Sequence, residues 1–220
     1  MSKPSFTRPT FVLLYGFPGS GKTFFSRQLS ETLGAAHVHD DRLRSELFEQ
    51  PAHSSREDEV VYHLMEYMAE EFLKAGISVV FDMNAIRLVQ RRALRDLARR
   101  LKAQPLLIWV QIDLETAFAR VAKRDRRRAD DKYATPLDRT TFEQITGHMQ
   151  NPGQSEDYVV ISGKHTYSTQ QHNVFKKMYE QGLITVANPD GRVVKPELVN
   201  RIPNPLAGRV DPSRRNIIIR

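Results

Sequence analysis

Eight consecutive residues carry the most specific chemistry in the chain: Gly16, Phe17, Pro18, Gly19, Ser20, Gly21, Lys22 and Thr23. They match the pattern G-x-x-x-x-G-K-[ST]. Glycines let the backbone curl so that successive N–H groups point into one concavity. A helix that begins directly afterwards adds its unpaired N–H groups and the positive end of its dipole. Lys22 can reach outer phosphates as a mobile charge, and the Thr23 hydroxyl is placed to bind Mg²⁺. An apolar run at residues 11–15 precedes the glycines and a helical pattern at 23–33 follows, which is the context such a loop requires. The expectation is a triphosphate site built from Gly16, Pro18, Gly19, Ser20, Gly21, Lys22, Thr23 and Phe24, with Thr23 as the metal ligand.

Three further constellations could serve phosphate chemistry. In "HDDRLRSELFEQ", Asp41 and Arg44 stand three apart at the opening of a short helix, so both can face a cleft. A carboxylate there can take the proton of an attacking hydroxyl; alternatively Asp40 or Asp41 simply caps the helix. In "VVFDMNAIR", Asp82 and Asn84 leave a strand at the edge where ligands collect. Asp82 there can hold water, Mg²⁺ or an acceptor and Asn84 can shape the loop, although Asp and Asn also suit an ordinary turn. In "ETAFARVAKRDRRRADDKYATP", Arg120 and Arg124 share a helix face, and Arg126, Arg127 and Arg128 follow in a loop. Arginines on a closing lid, at about residues 120–136, can neutralise a phosphoryl group in transfer. The other reading is a solvated basic helix end.

The elements that must position these residues are legible as alternating patterns. Apolar runs at 11–16, 35–40, 77–82, 105–113 and 157–163 read as buried parallel strands. Helical patterns lie between them at 23–33, 42–49, 57–75, 88–102, 114–123 and 140–149. Alternation of this kind predicts an α/β fold, a parallel five-stranded sheet with helices on both faces. His37 and His39 share a strand face and read as a packed or edge pair, since no third metal ligand stands in register. Trp109 reads as core, and the polar stretch between His165 and His172 as a surface turn.

The chain has 220 residues, no cysteine, 40% hydrophobic and 27% charged residues, and a formal net charge of +7. Disulfides and thiolate metal sites are excluded. No apolar run approaches the roughly 18–20 residues that span a bilayer, and the first ten residues carry no apolar signal core, so a cytoplasmic location is expected. The positive balance suits anionic partners, nucleic acid included. Residues 1–187 are expected to form the catalytic domain. Residues 188–220 form a basic arm with prolines at 189, 196, 203, 205 and 212; from Arg192 onward it holds seven Lys/Arg against two Asp/Glu.

With these motifs in order, the chain resembles the P-loop kinases related to bacteriophage polynucleotide kinase, the zeta toxins, gluconate kinase and chloramphenicol phosphotransferase. The resemblance rests on "GFPGSGKT", on Asp41-x-x-Arg44, on "FDMNAIRLVQRRAL", on Arg120-x-x-x-Arg124 and on the approach "MQNPGQSEDYVVISG", and it covers residues 10–163. It implies an adenylate-kinase-like three-layer sandwich with strand order 2-3-1-4-5 and ATP as donor. It implies Asp41 as the base that activates the acceptor, Arg44 as an acceptor or phosphate contact, and Lys22, Arg120 and Arg124 as catalytic cations. Asp82, with one of Arg91 and Arg92, would belong to the acceptor site.

The function expected is phosphoryl transfer from ATP to a hydroxyl-bearing acceptor, a small metabolite or a polynucleotide 5′-hydroxyl. Tyr133, Tyr167 and Tyr179 are the aromatics that could stack on bases. The alternatives are a zeta-toxin-like kinase and a nucleotide-gated binding module or ATPase. No Asn-Lys-x-Asp guanine reader occurs, and "FDMN" is not followed by the Gln or Glu that activates water in many ATPases; both favour a kinase.

Overall fold

A computed structural model describes residues 4–127, 131–153 and 155–186. The chain runs β1 (Pro4–Phe6), β2 (Thr10–Tyr15), α1 (Lys22–Leu33), β3 (Ala36–His39), α2 (Asp40–Leu47), α3 (Ser55–Lys74) and β4 (Val79–Asn84). It continues through α4 (Leu88–Arg100), β5 (Gln104–Gln111), α5 (Leu114–Ala122), α6 (Arg139–Gly147), β6 (Tyr158–Ser162), α7 (Tyr167–Glu180) and β7 (Ile184–Val186). Strands β3-β4-β2-β5-β6 form one five-stranded sheet, parallel throughout. Counted among these five alone, the order is the expected 2-3-1-4-5.

Period-two alternation splits the apolar strands between two cores. Phe11, Leu13, Tyr15, Phe81 and Leu107 face α3 and α4, where Val61, Met65, Ala69, Leu73, Leu94 and Ala98 meet them. Val12, Leu14, Val80, Ile108 and Val110 face the other way, against Phe25, Leu29 and Leu33 of α1 and Val174 and Met178 of α7. β2 lies at the centre of the sheet and is buried at all six positions. The residues that follow its carboxyl end are therefore fixed from both sides.

Several expectations change here. The stretch between His165 and His172 is not a surface turn but lies at the start of α7, whose Gln170, Val174 and Met178 face inward at a spacing of four. Strands β1 and β7 pair antiparallel as a two-stranded ribbon, Ser5 opposite Thr185. Trp109 is half-buried rather than core, edge-on to Tyr15 and Tyr158 with ring centroids 5.6 and 5.7 Å away. Tyr167 and Tyr179 pack against the α1–α7 core, and Tyr167 hydrogen-bonds Thr32, so neither ring is free for base stacking. The basic arm and Arg128 lie outside the described residues. Among the described residues no helix is long and apolar enough to cross a membrane.

Candidate active site

The loop after β2 turns on glycines in the left-handed region, Gly19 at φ 81° and Gly21 at φ 96°, which other residues adopt only with strain. At Gly19 a Cβ would also stand 2.3 Å from the Ala117 carbonyl oxygen. Gly21 is the N-cap of α1, and no side chain caps that helix. Its first N–H groups are thus left for a ligand. Lys22 Nζ donates to the carbonyls of Gly16 at 2.9 Å and Phe17 at 3.0 Å, arched over the loop. Burial, opposed by Asp82 and reinforced by Arg124, lowers the Lys22 pKa to about 8. A partly desolvated cation beside an uncapped helix start is a site that favours an anion.

The carboxyl ends of β3 and β4 bring three carboxylates to the same opening. Asp82 is buried, accepts from Ser26 Oγ at 2.7 Å, and lies 3.0 Å from His37 Nε2. Burial alone would raise its pKa, but the His37 hydrogen bond, both imidazoles and Ser26 outweigh it, and the carboxyl lies below its usual range. Asp40 Oδ1 accepts from the Asp41 backbone N–H at 2.6 Å, but His39 is the N-cap of α2 and no side chain caps the helix, so neither acid has the capping role. Desolvation and then the charges of Asp41 and Asp82 push Asp40 well above the carboxylate range. The Asp41 carboxylate stays in the cleft wall without a hydrogen-bond partner among the described residues. His37 and His39 stack at 5.5 Å as a pair. His39 Nε2 is buried and unpartnered, 3.7 Å from Asp40 Oδ1 and 3.9 Å from Asp82 Oδ2.

Asn84 Oδ1 accepts from the Gly16 N–H at 3.3 Å, which ties the β4 end to the phosphate loop. Arg44 lines the cleft, but its guanidinium is held by Glu57 at 3.3 Å and Asp58 at 2.5 Å, so it braces α2 against α3. Glu57 in turn accepts from the backbone of Ala52 and His53 and closes the loop between those helices. Arg124, at the end of α5, donates to the Thr135 carbonyl at 2.6 Å and lies close enough to Lys22 to depress it. Arg120 donates to the Gly163 carbonyl at 2.9 Å beyond β6. Residues 131–135, ahead of α6, cover part of the opening: Thr135 Oγ1 lies 3.3 Å from His53 Nε2, and Tyr133 stands edge-on to His39.

The result is one cleft of about 1250 Å³ lined by Lys22, Thr23, Asp40, Asp41, Asp82, Arg120 and Arg124. Two expectations fall away. Arg91 is fully buried in a two-pronged pair with Glu156 at 2.8 Å, shared with Arg95, and Arg92 is exposed elsewhere; neither lines the cleft. Two contributors escaped the sequence reading. Ser26 lies one helical turn beyond Thr23, a spacing that could have flagged it. Gly163 lets the β6 end approach the phosphate loop, where a Cβ would stand 2.2 Å from the Ser20 carbonyl oxygen. Thr23 and Asp82, which line the same cleft, offer a hydroxyl and a carboxylate, oxygen donors that suit a hard cation such as Mg²⁺.

Comparison with known proteins finds the same fold elsewhere. Kti12 of Chaetomium thermophilum, solved with ADP-AlF3, superposes with a TM-score of 0.61 at 20% identity, covering 77% of this chain and 97% of that one. The APS kinase CysC of Mycobacterium tuberculosis, solved with AMPPNP and APS, gives 0.58 at 17% identity, covering 78% and 98%. A gluconokinase from Sinorhizobium meliloti gives 0.57 at 13% identity, covering 79% and 94%. At such identities these likenesses show a shared fold. No significant match was found among curated protein sequences. Residues 11–152, phosphate loop and cleft acids included, match the family described as AAA domain. That span is more than half of the 220 residues, and the chain belongs to the AAA domain family, with the α/β fold of P-loop nucleotide-binding proteins.

Proposed function

We propose that this protein is an ATP-dependent phosphotransferase that moves the γ-phosphoryl group to a hydroxyl acceptor, and that it acts in the cytoplasm. The observation that carries this reading is the free Asp41 carboxylate opposite the uncapped α1 N-terminus, with Lys22 and Arg124 in the same cleft. A nucleotide-gated binder has no need of a base on the acceptor side.

The N–H groups of Gly19, Gly21, Lys22, Thr23 and Phe24 and the Lys22 ammonium hold the phosphates. Thr23 and Asp82 are the groups that would hold Mg²⁺, which supplies positive charge across the phosphate oxygens. Asp82 is kept ionised for that task by His37 and Ser26. Asn84 fixes the loop to β4. Asp41 takes the proton of the acceptor hydroxyl as its oxygen forms a bond to the γ-phosphorus; the bond from that phosphorus to the bridging oxygen breaks and ADP leaves. Arg120 on α5 and Arg124 just beyond the end of that helix offset the charge spread over the transferred group. Arg44 positions α2, and so Asp41, through its pairs with α3. Catalysis is then mainly positioning and electrostatics.

The test uses the purified chain with Mg²⁺, γ-labelled ATP and a pool of hydroxyl compounds. Label recovered on an organic acceptor supports the proposal. Label recovered only as inorganic phosphate, at a rate that no acceptor changes, contradicts it and favours an ATPase or a nucleotide-gated binder.

A further inference from the structure

The strand order sorts charge across the cleft. On the β5–β6 side stand Arg120, Lys123 and Arg124, the cations that suit a triphosphate. On the β3–β4 side stand Asp40, Asp41 and Asp58, and Asp131 projects into the cleft from the covering stretch. Arg44 is the arginine on that side, and its charge is outweighed by two carboxylate partners, Glu57 and Asp58. Mg²⁺ does not reverse this balance, because it enters on a triphosphate whose charge exceeds its own. An acceptor with its own phosphate or carboxylate needs free arginine or lysine beside it, ideally in two-pronged geometry. The acceptor half offers carboxylates instead.

The same half has an apolar wall. Val61 and Tyr62 of α3 face the cleft with Met83 and Ile86 from the end of β4. Carboxylates beside such a wall are met by a ligand that presents N–H or O–H donors.

Building on the phosphotransferase reading, we propose that the acceptor is a hydroxylated organic cation, an amino alcohol or amino sugar with an apolar flank, and not a nucleic acid, sugar acid or phosphorylated metabolite. Its ammonium group lies toward Asp58 and Asp131, its apolar flank lies on Tyr62 and Met83, and its hydroxyl meets Asp41. The chain's net positive charge sits elsewhere and does not describe this surface.

The experiment compares compounds of one skeleton that differ in charge: glucosamine, glucose and gluconate, with ethanolamine-type amino alcohols and a 5′-hydroxyl oligonucleotide. Transfer from γ-labelled ATP and affinity for protein loaded with Mg²⁺ and AMPPNP are both measured. The proposal predicts that the amino compound exceeds its neutral parent by about tenfold in kcat/KM, the factor that corresponds to one modest charge contact, and that the acid and the oligonucleotide fall below the neutral parent. Asp58→Asn and Asp131→Asn should each reduce kcat/KM for the amino compound several-fold more than for the neutral one. Preferred transfer to the acid, the oligonucleotide or the neutral sugar overturns the acceptor class and leaves the phosphotransferase standing. If no compound receives label, the binding arm decides: tighter, Asp58-dependent binding of the amine upholds the cationic ligand and sinks the transfer reading, while equal binding of all compounds sinks both.

Discussion

Ser26 on α1 and Asp82 at the end of β4 meet at 2.7 Å, 56 positions apart in sequence, and both are buried. The contact joins the helix that opens at the phosphate loop to the strand that carries the candidate metal carboxylate. Ser26 Oγ also lies within reach of the Lys22 and Thr23 carbonyls, so one hydroxyl sees the first turn of α1 and the Asp82 side chain together. Removing it leaves a buried charge with one donor fewer. Ser26→Ala should cost about 1.5–3 kcal/mol of stability, the range for a hydrogen bond to a charged group. Urea denaturation checks this, and a change within 0.5 kcal/mol would mean that Asp82 is solvated by other means.

Lys22 gives a pH dependence with a definite sign. Its pKa in the folded chain is about 8, below the ordinary 10.5, because burial penalises the charged form. Between those values the unfolded chain holds a proton that the folded chain has lost, so Lys22 makes stability rise with pH through that window. Nucleotide binding needs the charged form and should weaken as pH climbs past 8. Calorimetric titration in buffers of different ionisation enthalpy should show proton uptake on binding at pH 8.5 and little at pH 6.5. Equal proton exchange at both values would remove Lys22 from contact with the phosphates. Lys22→Ala should weaken binding and transfer together.

Arg91, Glu156 and Arg95 form a structural brace rather than an acceptor contact. Arg91 is fully buried and Glu156 nearly so, and the Arg91 guanidinium lies 5.0 Å from the Tyr15 ring centroid. Burial would raise Glu156, but the hydrogen bonds and charges of Arg91 and Arg95 hold it below its usual range. Arg91→Met should destabilise the fold by about 3–5 kcal/mol, because it strands a buried carboxylate. Arg91→Met combined with Glu156→Leu should recover much of that loss. A double variant no more stable than the single would show that the two residues are not coupled.

Gly163 tests the approach of β6 to the phosphate loop. Its missing Cβ would fall 2.2 Å from the Ser20 carbonyl, a backbone atom that cannot swing aside. Gly163→Ala should therefore displace the loop and lower nucleotide affinity by tenfold or more (about 1.4 kcal/mol), although position 163 lies far from the loop in sequence. Unchanged affinity by fluorescent-nucleotide titration would show that the loop tolerates the shift.

Most of the fold was legible because its signals are local. Each core strand is a short apolar run, and Gly19 and Gly21 announce a loop whose left-handed backbone only glycine adopts cheaply. Helix α7 was hidden because its first fully buried position is the polar Gln170, whose Nε2 donates to the Ser162 carbonyl at 2.8 Å, instead of an apolar residue. The β1–β7 ribbon was hidden because its three-residue strands pair Ser5 with Thr185, a contact no local pattern encodes. Asp41, Lys22 and Arg124 could be named from motif and order, since strand ends converge on one edge. Arg44 and Arg91 could be named but not assigned. Their tasks depend on Glu57, Asp58 and Glu156, acids that have nothing distinctive around them in sequence.

Asp41 as the base that activates an acceptor is the central claim, and one paired measurement bears on it most directly. Wild type and Asp41→Asn are compared for MgATP affinity by calorimetry and for transfer of γ-label to an acceptor under saturating nucleotide. The account predicts MgATP affinity within about threefold of wild type and transfer lower by about 10²–10⁴, the usual share of a positioned general base. Transfer at the wild-type rate in Asp41→Asn would contradict it and move the acceptor hydroxyl away from α2.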